Sequence, residues 1–336
     1  MKKKLTIILS IVILCVSVLS VLLLYKPKGD NLITINEVTH SIFYAPLYVA
    51  INNGYFEEEG IEIELVNGGG SDQSMTALIS DNADIALLGP ETAVYVIRQG
   101  LADHPVIFAQ LTKRDGSFLI GRTAEPDFEW GDLAGKEIIG GRRGGMPAMS
   151  LEYALRQNGL IPGNNVTLNL DVAFNMVAGA FEGGLGDYCT MFEPTASAFV
   201  AAGKGHIITA VGTESGEIPF TAFMAKQSFL KEHPEKIESF INAVMRGYDF
   251  IMTSEISAVT NALLPSFSGS TSDSIGTAIT SYKLIDAWMS SPAMEESAFT
   301  RMQTVMSTAG ELSGYVAFTE AVDNSFADAW LTRNAG

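Results

Sequence analysis

Cysteine is almost missing from this sequence. Its 336 residues hold two, Cys15 and Cys189. Cys15 falls inside an apolar N-terminal run, so the body beyond that run can form no intrachain disulfide. Cys189, left alone, reads as a small buried apolar residue rather than a reactive thiol. Basic charge is scarce as well: 21 Lys and Arg stand against 38 Asp and Glu, a net charge of −17. Residues 1–28 carry Lys2, Lys3, Lys4, Lys26 and Lys28 and no acid, leaving 16 basic against 38 acidic groups, or −22, for the remainder. A body so acidic repels polyphosphates and anionic lipid surfaces, which argues against a nucleic-acid partner. Histidine is sparse: His40, His104, His206 and His233 show no ligand-like spacing, so no metal site is expected. Gly-x-Ser-x-Gly, His-Glu-x-x-His and Walker-type loops are all missing. Gly184-x-Gly186 has Cys189 where a dinucleotide fingerprint needs its third glycine. Neither catalytic residues nor a cofactor are expected, and binding is favoured over catalysis.

What is present is apolar. Hydrophobic residues make up 47% and charged residues 18% of the chain, enough for a sizeable core and for about two domains. Residues 5–24 form an apolar stretch broken only by Thr6, Ser10, Ser17 and Ser20. As a helix it would span about 30 Å, the thickness of a bilayer core. The lysines before it favour an inside N-terminus and an exported body. Residues 1–30 therefore read as a membrane anchor or a cleaved signal peptide. Lipid attachment at Cys15 is disfavoured by Leu14 before it, where a small residue is needed. All three routes place the body outside the cytoplasm, anchored at the outer face of the membrane or free in the periplasm.

The body alternates short β-rich runs with helical patterns, which predicts an α/β fold. Strands are expected over 32–38, 61–66, 84–88, 105–111, 117–121, 136–139, 166–171, 187–191, 206–211 and 221–225. Helices are expected over 46–53, 73–80, 91–99, 148–157, 175–182 and 195–202, and four more, over 234–253, 274–290, 295–308 and 320–331, close the chain. One device occurs twice. Residues 75–100 run helix, Asp84, apolar strand, Gly89-Pro90-Glu91-Thr92-Ala93, helix, glycine; residues 176–205 run helix, Asp187, apolar strand, Phe192-Glu193-Pro194-Thr195-Ala196, helix, glycine. A spacing of about 100 residues is too long for a solenoid and suits two similar α/β lobes. Asp84 and Asp187, at the far ends of their strands, read as structural.

Ligands of open α/β sheets bind beyond the carboxyl ends of the strands, where helix N-termini present unpaired N–H groups. Four such corners are visible. Gly68–Asp72 is the first, with Gly70 close to a ligand and Ser71 or Asp72 able to cap the helix. The second is Gly89-Pro90, followed by Glu91 and Thr92. Residues 140–147, which include Arg142, Arg143, Gly144, Gly145 and Met146, make the third, and Glu193-Pro194 the fourth. The aromatic run after the first strand, His40, Ser41, Phe43 and Tyr44, offers rings for stacking, and Asn175 and Phe192 join it from the second half. Arg143, or its neighbour Arg142, could grip an anion beside a helix N-terminus. Glu91 and Glu193 could accept hydrogen bonds from an amino group. Each corner also has an ordinary reading as turn chemistry, and a first-turn acid steadies its helix by ~0.3–1 kcal/mol with no ligand present.

These residues carry a resemblance. Tyr44-Ala45-Pro46-Leu47-Tyr48-Val49-Ala50 followed by Gly54-Tyr55-Phe56-Glu57-Glu58-Glu59-Gly60-Ile61 is similar to the opening of the nitrate/sulfonate/taurine and thiamine-precursor binding proteins, the NMT1/THI5-like group. Gly70-Ser71-Asp72, Ala83-Asp84-Ile85-Ala86 before Gly89-Pro90, and Phe192-Glu193-Pro194 also resemble that group, over about residues 32 to 330. The resemblance implies a type II periplasmic-binding-protein fold. Residues 31–115 and 219–336 would form one lobe and 116–218 the other, joined by hinge crossings near Asp115 and Pro219. It further implies a monomer that closes on a small-molecule ligand and is recognised by ABC permease subunits. Arg142, Arg143 and the helix N-termini favour an oxyanion such as a sulfonate or nitrate. That oxyanion is the first expectation; Phe43, Tyr44, Phe192, Glu91 and Glu193 point to the alternative, an aminopyrimidine thiamine precursor. A related pyrimidine synthase carries a cysteine-rich motif that this chain lacks, so an enzyme is the remote alternative.

Overall fold

The structure is a computed structural model and describes Gly29 and residues 31–334; the apolar stretch over 5–24 and the anchor or signal reading lie outside the described residues. Ten strands are described: β1 (Leu32–Glu37), β2 (Glu62–Asn67), β3 (Ile85–Leu88), β4 (Pro105–Thr112), β5 (Ser117–Gly121), β6 (Glu137–Ile139), β7 (Thr167–Asn169), β8 (Tyr188–Phe192), β9 (His206–Ala210) and β10 (Thr221–Lys226). They make two five-stranded sheets, ordered β2-β1-β3-β10-β4 and β7-β6-β8-β5-β9.

The two sheets share one plan. β1 runs parallel to β3, and β6 runs parallel to β7 and β8. In each sheet one antiparallel strand is inserted beside the third: β10 lies between β3 and β4, and β5 between β8 and β9. The inserted strands arrive from the other sheet, so the chain passes between sheets twice, over residues 113–116 and 211–220. The repeated aspartates do the same work in each half. Asp84 Oδ2 accepts the Thr34 backbone N–H at 2.7 Å, and Asp187 Oδ2 accepts that of Glu137 at 2.8 Å. Each ties the start of one strand to its parallel neighbour.

From Ile33 onward the chain forms one compact unit. Every residue of β3 and β4 is buried, as expected where helices cover both faces of a sheet. β2 is an edge strand with alternating exposure. Phe223 on β10 is 1% exposed and packs edge-on to Phe240, with ring centroids 4.9 Å apart, and against Phe108 at 6.3 Å. Burial of one such ring contributes about 1.5–3 kcal/mol. The long helix Pro234–Thr253 lies against Ala45–Asn52 so closely that a Cβ on Gly247 would stand 2.1 Å from the Pro46 carbonyl oxygen. A separate core of Trp130, Leu133, Ile138, Leu151, Leu155 and Tyr188 packs behind the second sheet.

Three local expectations are revised. The helix expected over 274–290 is Ser272–Leu284, and beyond it Trp288 bridges to Thr112. The helix expected over 320–331 is two, Phe318–Ala321 and Ser325–Asn334. Between them Val322 bridges to Ile107, and the Asp323 N–H donates to the Ile107 carbonyl at 2.9 Å. Pairing with the edge of β4 thus outcompetes the local helical period. The helix Ser71–Ile79 has Gly70 at its N-cap and no side-chain cap. Asp72 pairs instead with Arg142 across 2.6 Å.

Candidate functional site

Three of the four strand–helix corners meet at one cavity of about 90 Å³. From the first sheet it is lined by Ser41, Phe43 and Tyr44 after β1, Gly70 and Ser71 after β2, and Gly89 and Glu91 after β3. Arg142, Gly145, Met146 and Pro147 close it after β6, with Phe174 and Phe192 from the same side and Phe220 and Thr221 at the start of β10. The walls are mainly aromatic. Phe43 stands at their centre, 5.6 Å from Phe192, 5.9 Å from Tyr44 and 5.8 Å, edge-on, from Phe220. Its seat depends on Gly116, where an added Cβ would fall 2.4 Å from the Phe43 ring. The Trp288 indole N–H fixes the backbone beneath it by donating to the Phe43 carbonyl at 2.8 Å.

One acid dominates the chemistry of this cavity. Glu91, in the first turn of the helix Glu91–Arg98, is 1% exposed. Its Oε1 accepts the Met146 backbone N–H at 3.3 Å from the opposite wall, and its Oε2 is buried with no partner. Burial pushes its carboxyl up to about 7; its own backbone N–H, that of Met146 and the Arg142 charge pull the other way without prevailing. Gly89 leaves room for this carboxylate, since a Cβ there would lie 2.0 Å from Oε2. Arg142 is about half exposed and already paired with Asp72, an arrangement that contributes about 0–1 kcal/mol. The Tyr95 hydroxyl donates to the Gly144 carbonyl at 3.1 Å, a further bond between the walls.

Residues 42–255 match the family model described as NMT1/THI5 like. The chain belongs to the NMT1/THI5-like family. Among curated proteins it is 40% identical over 296 residues to YtlA of Bacillus subtilis (strain 168), named as a candidate binding protein, covering 88% of this chain and 89% of that one. It is 23% identical over 238 residues to the Saccharomyces cerevisiae (strain ATCC 204508 / S288c) 4-amino-5-hydroxymethyl-2-methylpyrimidine phosphate synthase THI13, over 64% of this chain and 65% of that one. Among solved structures it resembles the periplasmic aliphatic sulphonate binding protein SsuA from Escherichia coli, with a TM-score of 0.69 at 15% identity over 87% of this chain and 97% of that one. The fold of this NMT1/THI5-like chain is the type II periplasmic-binding-protein fold that the family resemblance implied.

Not every candidate lies at the cavity of this family member. Arg143 does not line it; the residue there is Arg142. Arg142 extends the strand by a bridge to Asp171, whereas Arg143 starts the following turn, is 69% exposed and stands 3.9 Å from Glu311. Gly144 contributes only the carbonyl that receives Tyr95. The Thr92 hydroxyl donates to the Gly89 carbonyl at 2.6 Å and shapes the corner from behind. Glu193 spends its carboxylate on its own helix, accepting from the Ser197 N–H at 2.9 Å and the Ser197 hydroxyl at 2.7 Å. Its backbone reaches across instead: its carbonyl accepts from the Ser41 hydroxyl at 2.9 Å. His40, Asn175 and Glu193 line an adjoining hollow of about 250 Å³. Phe220 and Thr221 escaped sequence reasoning because only the late return of β10 brings them here; Phe174 adjoins Asn175 and carried a local signal.

Proposed function

We propose that this chain is the extracytoplasmic solute-binding component of an ABC importer, a binder and not an enzyme. The family, the fold, the name of YtlA and the basic-then-apolar sequence of residues 1–28 support that reading. In it, residues 31–115 with 219–336 form one lobe and 116–218 the other, hinged near Asp115 and Pro219. Bonds from Ser41 to Glu193, Glu91 to Met146, Tyr95 to Gly144 and Asp72 to Arg142 then join the lobes in a closed form. A ligand touched by both lobes favours that form because only closure gives it both sets of contacts. The synthase reading has less support: Cys189 is alone and wholly buried, and burial pushes its thiol up to about 12.

The ligand we propose is a small planar ring bearing an amine or ring N–H, of the aminopyrimidine kind. The observation that carries this is the unpartnered, buried Oε2 of Glu91 inside an aromatic cavity. A carboxyl held near neutrality accepts from an amine when ionised and donates to a ring nitrogen when protonated. Met146 and Arg142 favour the second reading, an oxyanion such as a sulfonate. Against it, the Met146 N–H already serves the Glu91 carboxylate, and a bound anion would face that buried acid.

Calorimetric titration of the wild type, Glu91→Gln and Arg142→Ala with 4-aminopyrimidine and with methanesulfonate separates the two. The amine reading expects 4-aminopyrimidine to bind the wild type and to lose at least tenfold in Glu91→Gln, about one hydrogen bond to a charged group. Methanesulfonate binding that collapses in Arg142→Ala and survives Glu91→Gln would reverse the assignment.

A further inference from the structure

The adjoining hollow shares Thr39, Ser41, Phe174 and Phe192 with the cavity, so the two chambers abut along one wall. That wall is the Phe174–Phe192 ring pair, centroids 5.6 Å apart, set beside Ser41. Phe174 is its loose half. It is 42% exposed and belongs to a single 3₁₀ turn, Phe174–Met176, with no side-chain cap.

The second chamber differs in chemistry from the first. The Asn175 amide and the Thr190 and Thr195 hydroxyls line it and make no hydrogen bond with any described residue. Two ionisable groups stand on opposed elements. His40 stands on one side, with Nδ1 2.7 Å from a Glu37 carboxylate oxygen and Nε2 2.7 Å from the Ser266 carbonyl. The bond to Glu37, first, and that to Ser266 raise its pKa against the opposing effect of burial. On the other side stands the Glu193 carboxylate, whose two oxygens each receive one bond from Ser197 and retain a free lone pair. The Asn175 amide and the Thr190 and Thr195 hydroxyls can each donate and accept, which suits a neutral group that does the same.

We infer that the site is bipartite and that its ligand carries a neutral hydroxylated tail, the ring lying in the aromatic cavity and the tail passing Phe174 and Phe192 to Asn175, Thr190 and Thr195. The inference rests on the amine-ring reading of the first cavity and adds the substrate class: a ring with a short polyol chain, not the ring alone.

Calorimetry on the full chain tests it with two probes, 4-aminopyrimidine and 4-aminopyrimidine bearing a 2,3-dihydroxypropyl chain. Two added hydrogen bonds predict that the extended probe binds the wild type about tenfold more tightly than the ring alone. In an Asn175→Ala/Thr190→Val double variant that ratio falls to about one; Thr190→Val alone serves if the double variant does not fold, with an intermediate ratio expected. Equal affinities in the wild type, or a ratio that survives both substitutions, overturns the tail chamber while leaving the ring reading intact. Failure of both probes on the wild type overturns the ring reading and the tail with it.

Discussion

Replacing Glu91 by glutamine probes the least ordinary group in the molecule, and the structure sets both sign and size of the effect. The carboxyl titrates near 7 when folded and at its ordinary 4.5 when unfolded, because burial penalises its charged form. Between those values the folded state binds more protons than the unfolded one. Stability therefore falls as pH rises through that interval and levels off above it. At about 1.4 kcal/mol per pH unit the full cost is about 3 kcal/mol. Glutamine titrates nowhere, and its oxygen can still accept the Met146 N–H. The substitution leaves a buried amide N–H₂ where Oε2 was, a penalty of about 1–3 kcal/mol that does not change with pH. Urea unfolding of ligand-free wild type and Glu91→Gln from pH 4.5 to pH 8 separates the two contributions. The difference between the proteins should move by about 3 kcal/mol in favour of the variant across that range. The tyrosines that face Glu91, Tyr44 and Tyr95, are common to both proteins and stay protonated below pH 8, because burial raises both. Parallel stability curves would refute the reasoning and with it the buried, pressured state of Glu91.

Other substitutions report on separate parts of the structure. Asp115 is wholly buried, with its carboxyl pushed up to about 6 by burial against bonds from Ser117 and Ser150. Asp115→Asn should shift stability relative to wild type in the same direction, within an interval from about pH 4 to pH 6 and with little change above, as read by urea unfolding. Gly116→Ala places a methyl against the Phe43 ring; it should lower stability by about 1–3 kcal/mol and weaken binding of 4-aminopyrimidine, both measurable on one sample by thermal unfolding with and without probe. Phe223→Ala empties the contact among three rings behind the cavity and should cost about 3–5 kcal/mol in chemical unfolding.

Those features that repeat or obey a local period were legible in the sequence. The aspartate before an apolar strand, followed by a proline-led helix, occurs at Asp84 and again at Asp187, and in both halves it ties parallel strands together. The Gly-rich corners were legible because their function in the chain is local: a turn that leads into a helix. The direction of a side chain on such a turn was not. Arg142 and Arg143 are equivalent in composition, and only the bridge from Arg142 to Asp171 decides which one reaches the cavity. Glu91 was visible as a first-turn acid, while its raised pKa comes from burial in a cavity whose far wall, at Met146, is 55 positions away in the chain. Glu193 looked the same in sequence, yet Ser197 four residues on absorbs its carboxylate. The break at Val322 has the same origin, since the edge of β4 that captures it is more than 200 residues distant.

Small-solute capture between the two sheets is tested most directly by native mass spectrometry of the protein purified gently from its own host. The account predicts one small molecule bound per chain, released on unfolding, carrying an amine-bearing ring with a hydroxylated tail, and reduced in occupancy when Glu91 is glutamine. A chain that flies empty, and that no compound of a broad metabolite panel protects against heat, would contradict it.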